Sequence, residues 1–167
     1  MSDSKQYAPS PEFAAHAHVK SLEEYRELYD RAKQNPEVFW AELASSELTW
    51  FRPFGQALEW EPPYAHWFAG GKINACYNCV DRHLATERKE KPAIIFEGEP
   101  GDQRIITYQE LYRLVSRFAT VLKQLGYGPR DRAVIYMPMI PELPVALLAC
   151  ARLGLSLIHI SEPTRQA

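Results

Sequence analysis

The sequence predicts an α/β fold: N-terminal helices followed by a partial layered α/β domain. Three observations carry this. The run Ala133-Val134-Ile135-Tyr136-Met137 is apolar without alternation, as in a parallel strand covered on both faces. An amphipathic helix pattern precedes it over Thr107–Leu125, and a second helix pattern, PELPVALLACARLG, follows it. A hairpin pattern, AIIFEGE and RIITY around Pro100-Gly101-Asp102, stands before both. Strand, helix, strand, helix is the order of an α/β domain.

The elements follow in chain order. Residues 1–20 are rich in Ser, Pro, Ala and His, lack periodicity, and read as a mobile arm. SLEEYRELYDRAKQ reads as a helix, because Ser21 and Glu24 form a capping box and Leu22, Tyr25, Leu28 and Tyr29 recur at helical spacing. Asn35-Pro36 ends it and opens another helix, with proline at the first helical position. The stretch TWFRPFGQALEWEPPYAHWFAGGK holds Trp50, Trp60 and Trp67 and reads as an irregular wrap that buries aromatic area. INACYNCVDRHLATE reads as one helix capped by Asn74. In the helix Thr107–Leu125, Thr107 and Glu110 make a second capping box. Leu111, Leu114, Val115, Phe118, Leu122 and Leu125 form its apolar stripe, and Gly126 stops it. Pro138 and Pro141 punctuate the turn into the last helix.

Composition bounds the function. The 167 residues carry 19 Lys plus Arg against 21 Asp plus Glu, a net charge of −2, with 46% apolar residues. That is the profile of an ordered globular chain, able to bury roughly 70% of its unfolded surface. No basic excess points to nucleic acid. The run Glu87-Arg88-Lys89-Glu90-Lys91 interleaves both signs, as a solvated surface does. No apolar run approaches the ~18 residues of a membrane span. Three cysteines and no secretory leader point to a reducing cytoplasm.

Motifs that carry chemistry are few. There is no G-x-x-x-x-G-K-[ST] loop, no G-x-G-x-x-G after a strand, no G-x-S-x-G and no H-E-x-x-H. Gly126-Tyr127-Gly128 sits where a helix end needs glycine. Cys76, Cys79 and His83 stand at i, i+3 and i+7, one face of the predicted helix, and could begin a zinc site. A structural zinc takes four ligands, and only the remote Cys150 and His66 could supply more, so core packing is the preferred reading. Asp81-Arg82-His83 could be an acid–base group, but neighbours on a helix do not face one another, and an ion pair beside a packed histidine is simpler. The Trp and Tyr cluster could be a stacking platform for bases or sugars, with buried contacts the simpler reading. His16 and His18 imply no function. Catalytic, cofactor-binding and metal residues are each expected to be none.

Three segments together resemble one family: GGKINACYNCVDRHL (70–84), AIIFEGEPGDQRIITYQELYRLVSRFATVLKQLG (93–126) and YMPMIPELPVALLACARLG (136–154). They are similar to the N-terminal part of AMP-forming acetate–CoA ligases, within the adenylate-forming enzymes, and the resemblance runs over about residues 21–154. It implies that a carboxylate attacks the α-phosphate of Mg-ATP to give an acyl-adenylate, from which the thiol of coenzyme A displaces AMP. It implies acetate, ATP and CoA as partners of the full-length enzyme, and no nucleic acid or membrane. The phosphate loop, adenylate contacts, acyl pocket and C-terminal lysine of the family lie beyond the region matching Gly154, so no family residue is carried over and the fragment is expected to be inactive.

The resemblance divides the chain into the arm 1–20, an N-terminal helical and aromatic-rich wrap 21–90, the truncated start of the AMP-binding α/β domain 91–154, and a tail 155–167. Leu155–Arg165, LSLIHISEPTR, resembles the translation of a transposase adapter used in sequencing libraries and is expected to be an artefact. A genuine divergent strand, LGLSLIHI, is the alternative. The rival functions are a noncatalytic interaction module, a small zinc protein, and a ligase for propionate or acetoacetate.

Overall fold

A computed structural model describes residues 7–160. The chain divides into two units, one from residues up to 48 and 54–70, the other from 49–53 and 71 onward.

The first unit opens with helix α1 (Pro11–His16), which forms inside the stretch lacking periodicity. Ser10 accepts the Phe13 N–H at 3.2 Å, and Pro11 takes the first turn. Residues 1–6 of the expected arm lie outside the described residues. Helix α2 (Leu22–Gln34) starts at Ser21, whose hydroxyl accepts the Glu24 N–H at 3.1 Å. The Glu24 carboxylate reaches back to the Lys20 N–H at 2.7 Å, one residue earlier than a standard capping box. The predicted stripe is present, but Leu22, Tyr25 and Tyr29 remain exposed. Helix α3 (Pro36–Glu47) follows directly, with Asn35 as its N-cap.

The aromatic stretch is not an irregular wrap. It forms an antiparallel hairpin, β1 (Gln56–Glu61) and β2 (Tyr64–Ala69), turned by Pro62-Pro63. Leu58 faces Trp67 and Trp60 faces Ala65 across the pair. Trp60 and Trp67 are exposed, so the expected burial of aromatic area is not found here. The buried side chains of this unit, among the described residues, are Ala44 on α3 and Ala57 on β1. These two elements pack together.

In the second unit, α4 (Ala75–Cys79) is a single turn of helix capped by Asn74. The predicted longer helix breaks at Val80 (φ −128°, ψ −63°) and continues as two 3-10 turns over Asp81–Ala85 and Glu87–Glu90. Strands β3 (Pro92–Glu97) and β4 (Gln103–Thr107) form the expected hairpin, with Ile94 opposite Ile106. Gly101 (φ +87°) takes the left-handed turn position between them. Thr107 then caps α5 (Tyr108–Gln124), accepting the Glu110 N–H at 3.2 Å. Leu111, Val115 and Ala119 are its buried line, joined by Cys76, Val80, Ile106 and Ala149 in the main core. Phe118 and Leu125 of the predicted stripe are exposed instead, since α6 covers only part of that face.

Strand β5 (Arg132–Tyr136) leads to α6 (Glu142–Leu153) and then to β6 (Ser156–Ile160), which pairs parallel to β5 with Val134 beside Ile158. This strand–helix–parallel strand unit is the partial α/β domain. Ile135, Leu143, Ala146, Cys150 and Leu155 form its core. The expectation of cover on both faces holds for one only: Val134, Tyr136 and Ile158 are 61%, 65% and 49% exposed. Residues 161–167 of the tail lie outside the described residues.

A two-stranded parallel sheet with an open apolar face and open edges should associate with other copies. Sedimentation of the purified chain should show mass rising with concentration. The double variant Val134→Lys, Tyr136→Lys should shift it toward monomer; an unchanged distribution would locate the association elsewhere.

Candidate functional site

The break at Val80 separates His83 from Cys76 and Cys79, which share the single turn of α4. Cys76 is fully buried in the core, whereas Cys79 is exposed. His83 lies on the first 3-10 turn, edge-on to Tyr108 with ring centroids 5.1 Å apart. The i, i+7 alignment needs a continuous helix, and α4 ends at Cys79. Among the described residues no three His, Cys, Asp or Glu side chains group to hold a metal ion.

Asp81, Arg82 and His83 take three different partners. Asp81 accepts from Arg152 at 2.6 Å, Arg82 donates to Asn78 Oδ1 at 3.3 Å, and His83 meets Tyr108. Burial, aided by Arg82 and Arg88, holds the His83 imidazole below its ordinary range. No acid–base pair results. His16 Nδ1 lies 2.9 Å from the Glu12 carbonyl of its own helix. Gly126 (φ +93°) ends α5, and the Gly128 N–H donates to Asp131, so this glycine pair is a helix terminus.

The residues that do converge were not foreseen. Asn74 Oδ1 accepts the Tyr77 N–H at 3.1 Å and so caps α4. Its Nδ2 donates to the Ala151 and Arg152 carbonyls at 3.3 and 3.1 Å, tying down the end of α6. Arg152 then pairs with Asp81, stacks over Tyr112 at 5.2 Å, and lies against the Cys76 thiol. The pair is mostly buried, with side chains 23% and 18% exposed. Burial pushes the Cys76 thiol up, against the pull of the guanidinium. The capping Asn was visible in the sequence. Its second contact, some 78 residues away, had no local signal.

In open α/β sheets ligands bind beyond the C-terminal ends of the strands. Here that region is the Pro138–Pro141 turn and an open groove of about 400 Å³ lined by Leu114, Arg117, Phe118, Met137 and Glu142. Arg104 holds Glu142 at 2.6 Å and keeps its carboxyl below the usual range. The groove is apolar apart from Arg117 and this paired carboxylate, and offers neither a nucleophile nor a phosphate cradle.

Residues 25–79 match the family model of the acetyl-coenzyme A synthetase N-terminus, and residues 81–163 that of the AMP-binding enzymes. The chain is 47% identical over 154 residues to an acetyl-coenzyme A synthetase of Chlorobaculum tepidum, covering 92% of this chain and 23% of that protein. It is 51% identical over 149 residues to the one from Rubrobacter xylanophilus, covering 89% of this chain and 22% of that protein. Among solved structures, an acetoacetyl-CoA synthetase from Streptomyces lividans superposes with TM-score 0.76 at 29% identity, over 89% of this chain and 23% of that one. The chain thus spans about a quarter of the length of these relatives.

Asp81→Ala should lower stability by about 2–4 kcal/mol, because it strands a largely buried guanidinium. Glu42→Ala, breaking the exposed pair with Arg31 (60% and 58% exposed), should cost less than about 1 kcal/mol. Urea unfolding of dilute protein reads both, and equal costs would refute the ranking. The proton NMR titration of His83 should have its midpoint below the ordinary imidazole value; a midpoint above it would contradict the burial argument.

Proposed function

Since the chain belongs to the AMP-binding enzyme family and matches acetyl-coenzyme A synthetases over their N-terminal quarter, we propose that it is the N-terminal portion of an AMP-forming acetate–CoA ligase. The observation that carries this is near half identity to acetyl-CoA synthetases along almost the whole chain. In the full-length enzyme acetate would attack the α-phosphate of ATP, releasing pyrophosphate. The CoA thiol would then displace AMP from acetyl-adenylate. Magnesium would offset phosphate charge in the first step.

The residues present do not fit these groups. The sequence has no glycine-rich phosphate loop, and the described residues no group of three His, Cys, Asp or Glu side chains that could hold a metal ion. We therefore assign no residue here to Mg-ATP, acetate or CoA, and read the segment as inactive scaffold. Residues 21–90 would be its helical and aromatic-rich wrap, and 91–154 the opening of the AMP-binding domain. No helix among the described residues is long and apolar enough to cross a membrane. We place the enzyme in the cytoplasm, whose reducing poise would hold its three thiols free at rest. The structural likeness to an acetoacetyl-CoA synthetase supports acetoacetate as a second acyl substrate, but the higher sequence identity favours acetate.

Long-read sequencing of the source DNA across codon 154, without adapters, tests the reading. The frame should run on from Gly154 into a glycine-rich phosphate loop and, near its end, a lysine motif. A frame that closes with Ser161-Glu162-Pro163-Thr164-Arg165-Gln166-Ala167 would overturn it in favour of a noncatalytic module.

A further inference from the structure

The function above leaves Cys76 and Cys79 without a role. They stand three residues apart on one short turn of helix, one thiol sealed in the core and the other open to solvent. Residues at this spacing share a face, with Cβ atoms about 5–6 Å apart, against about 3.5–4.5 Å in a disulfide. A rigid helix would resist that closure. Here Cys79 is the last helical residue and Val80 has already left helical geometry, so the Cys79 end can tighten toward Cys76 while Asn74 anchors the other end. We propose that Cys76 and Cys79 form a reversible redox pair, oxidised to an intrahelical disulfide by low-molecular-weight disulfides.

The exposed Cys79 reacts first. Its thiolate attacks one sulfur of the oxidant, forming a mixed disulfide and expelling one thiolate. The Cys76 thiolate then attacks Cys79 Sγ and expels the second. The protons of the two cysteines end on the two expelled thiols, and the oxidant has gained two electrons. The Arg152 guanidinium beside Cys76 favours the attacking thiolate, while burial opposes it and makes the second step the slow one. Closing the disulfide removes the Cys76 thiol that interacts with Arg152. The modification thereby acts on the contacts that hold the end of α6.

Incubating the monomeric fraction of the chain with oxidised glutathione, followed by acid quench and trypsin digestion, tests this. Cleavage after Lys72 and Arg82 places both cysteines in one peptide, Ile73–Arg82, while Cys150 falls in another. The peptide should become about 2 Da lighter, and dithiothreitol should restore it. The variant Cys76→Ser should instead stop at a glutathione adduct on Cys79. A wild-type chain that accumulates only that adduct, pairs either cysteine with Cys150, or does not react overturns the proposal.

Discussion

The last carbonyls of a helix have no further turn to bond, and at α6 that requirement organises the second unit. Gly154, in left-handed conformation, lets the chain turn back so that its own N–H and that of Leu155 bond the Ala151 and Cys150 carbonyls. The Arg152 carbonyl takes its bond from Asn74, which also begins α4. One amide therefore closes one helix and opens another. The Arg152 side chain, held by Asp81 and Tyr112, fixes the same helix end from its other side. With α6 set, Ala149 closes the core of α4 and α5, and Cys150 closes the core beneath β5 and β6.

What could be read in the sequence was what depends on near neighbours. Ser21, Asn74 and Thr107 each cap a helix at the expected start, and Asn35 caps the helix that Asn35-Pro36 is expected to open. The hairpin of β3 and β4 and helix α5 stand close to their expected places because their patterns are strong, and strand β5 because its run is apolar without interruption. The errors came where a local pattern met a competing one. Trp60 and Trp67 read as aromatic mass to be buried, whereas the alternation of Leu58 and Trp60 before Pro62-Pro63 is the signal of a hairpin. The sequence pattern carries the helix after Asn74 through Val80, because nothing in Val80-Asp81-Arg82 breaks a helix by propensity. Asp81 instead follows a distant partner, Arg152.

The site was legible mainly as an absence of motifs. Chemistry on phosphates needs donors aimed at developing charge and a held nucleophile. This stretch contributes a core, a parallel strand pair and a groove whose carboxylate is already neutralised by Arg104. The open face of Val134, Tyr136 and Ile158 is consistent with a chain that spans about a quarter of its relatives. The polar cluster around Arg152 serves packing, and only the cysteine pair beside it suggests chemistry of its own.

We propose that this stretch is scaffold and carries none of the chemistry of adenylate formation. Acetate-dependent exchange of labelled pyrophosphate into ATP reads the first half-reaction directly. The purified 167-residue chain, with Mg-ATP and acetate, should give no exchange above a protein-free control. Exchange by this chain that requires acetate would contradict the account, and would mean that the groove beside Arg117 and Glu142, or another part of this stretch, binds and activates a carboxylate.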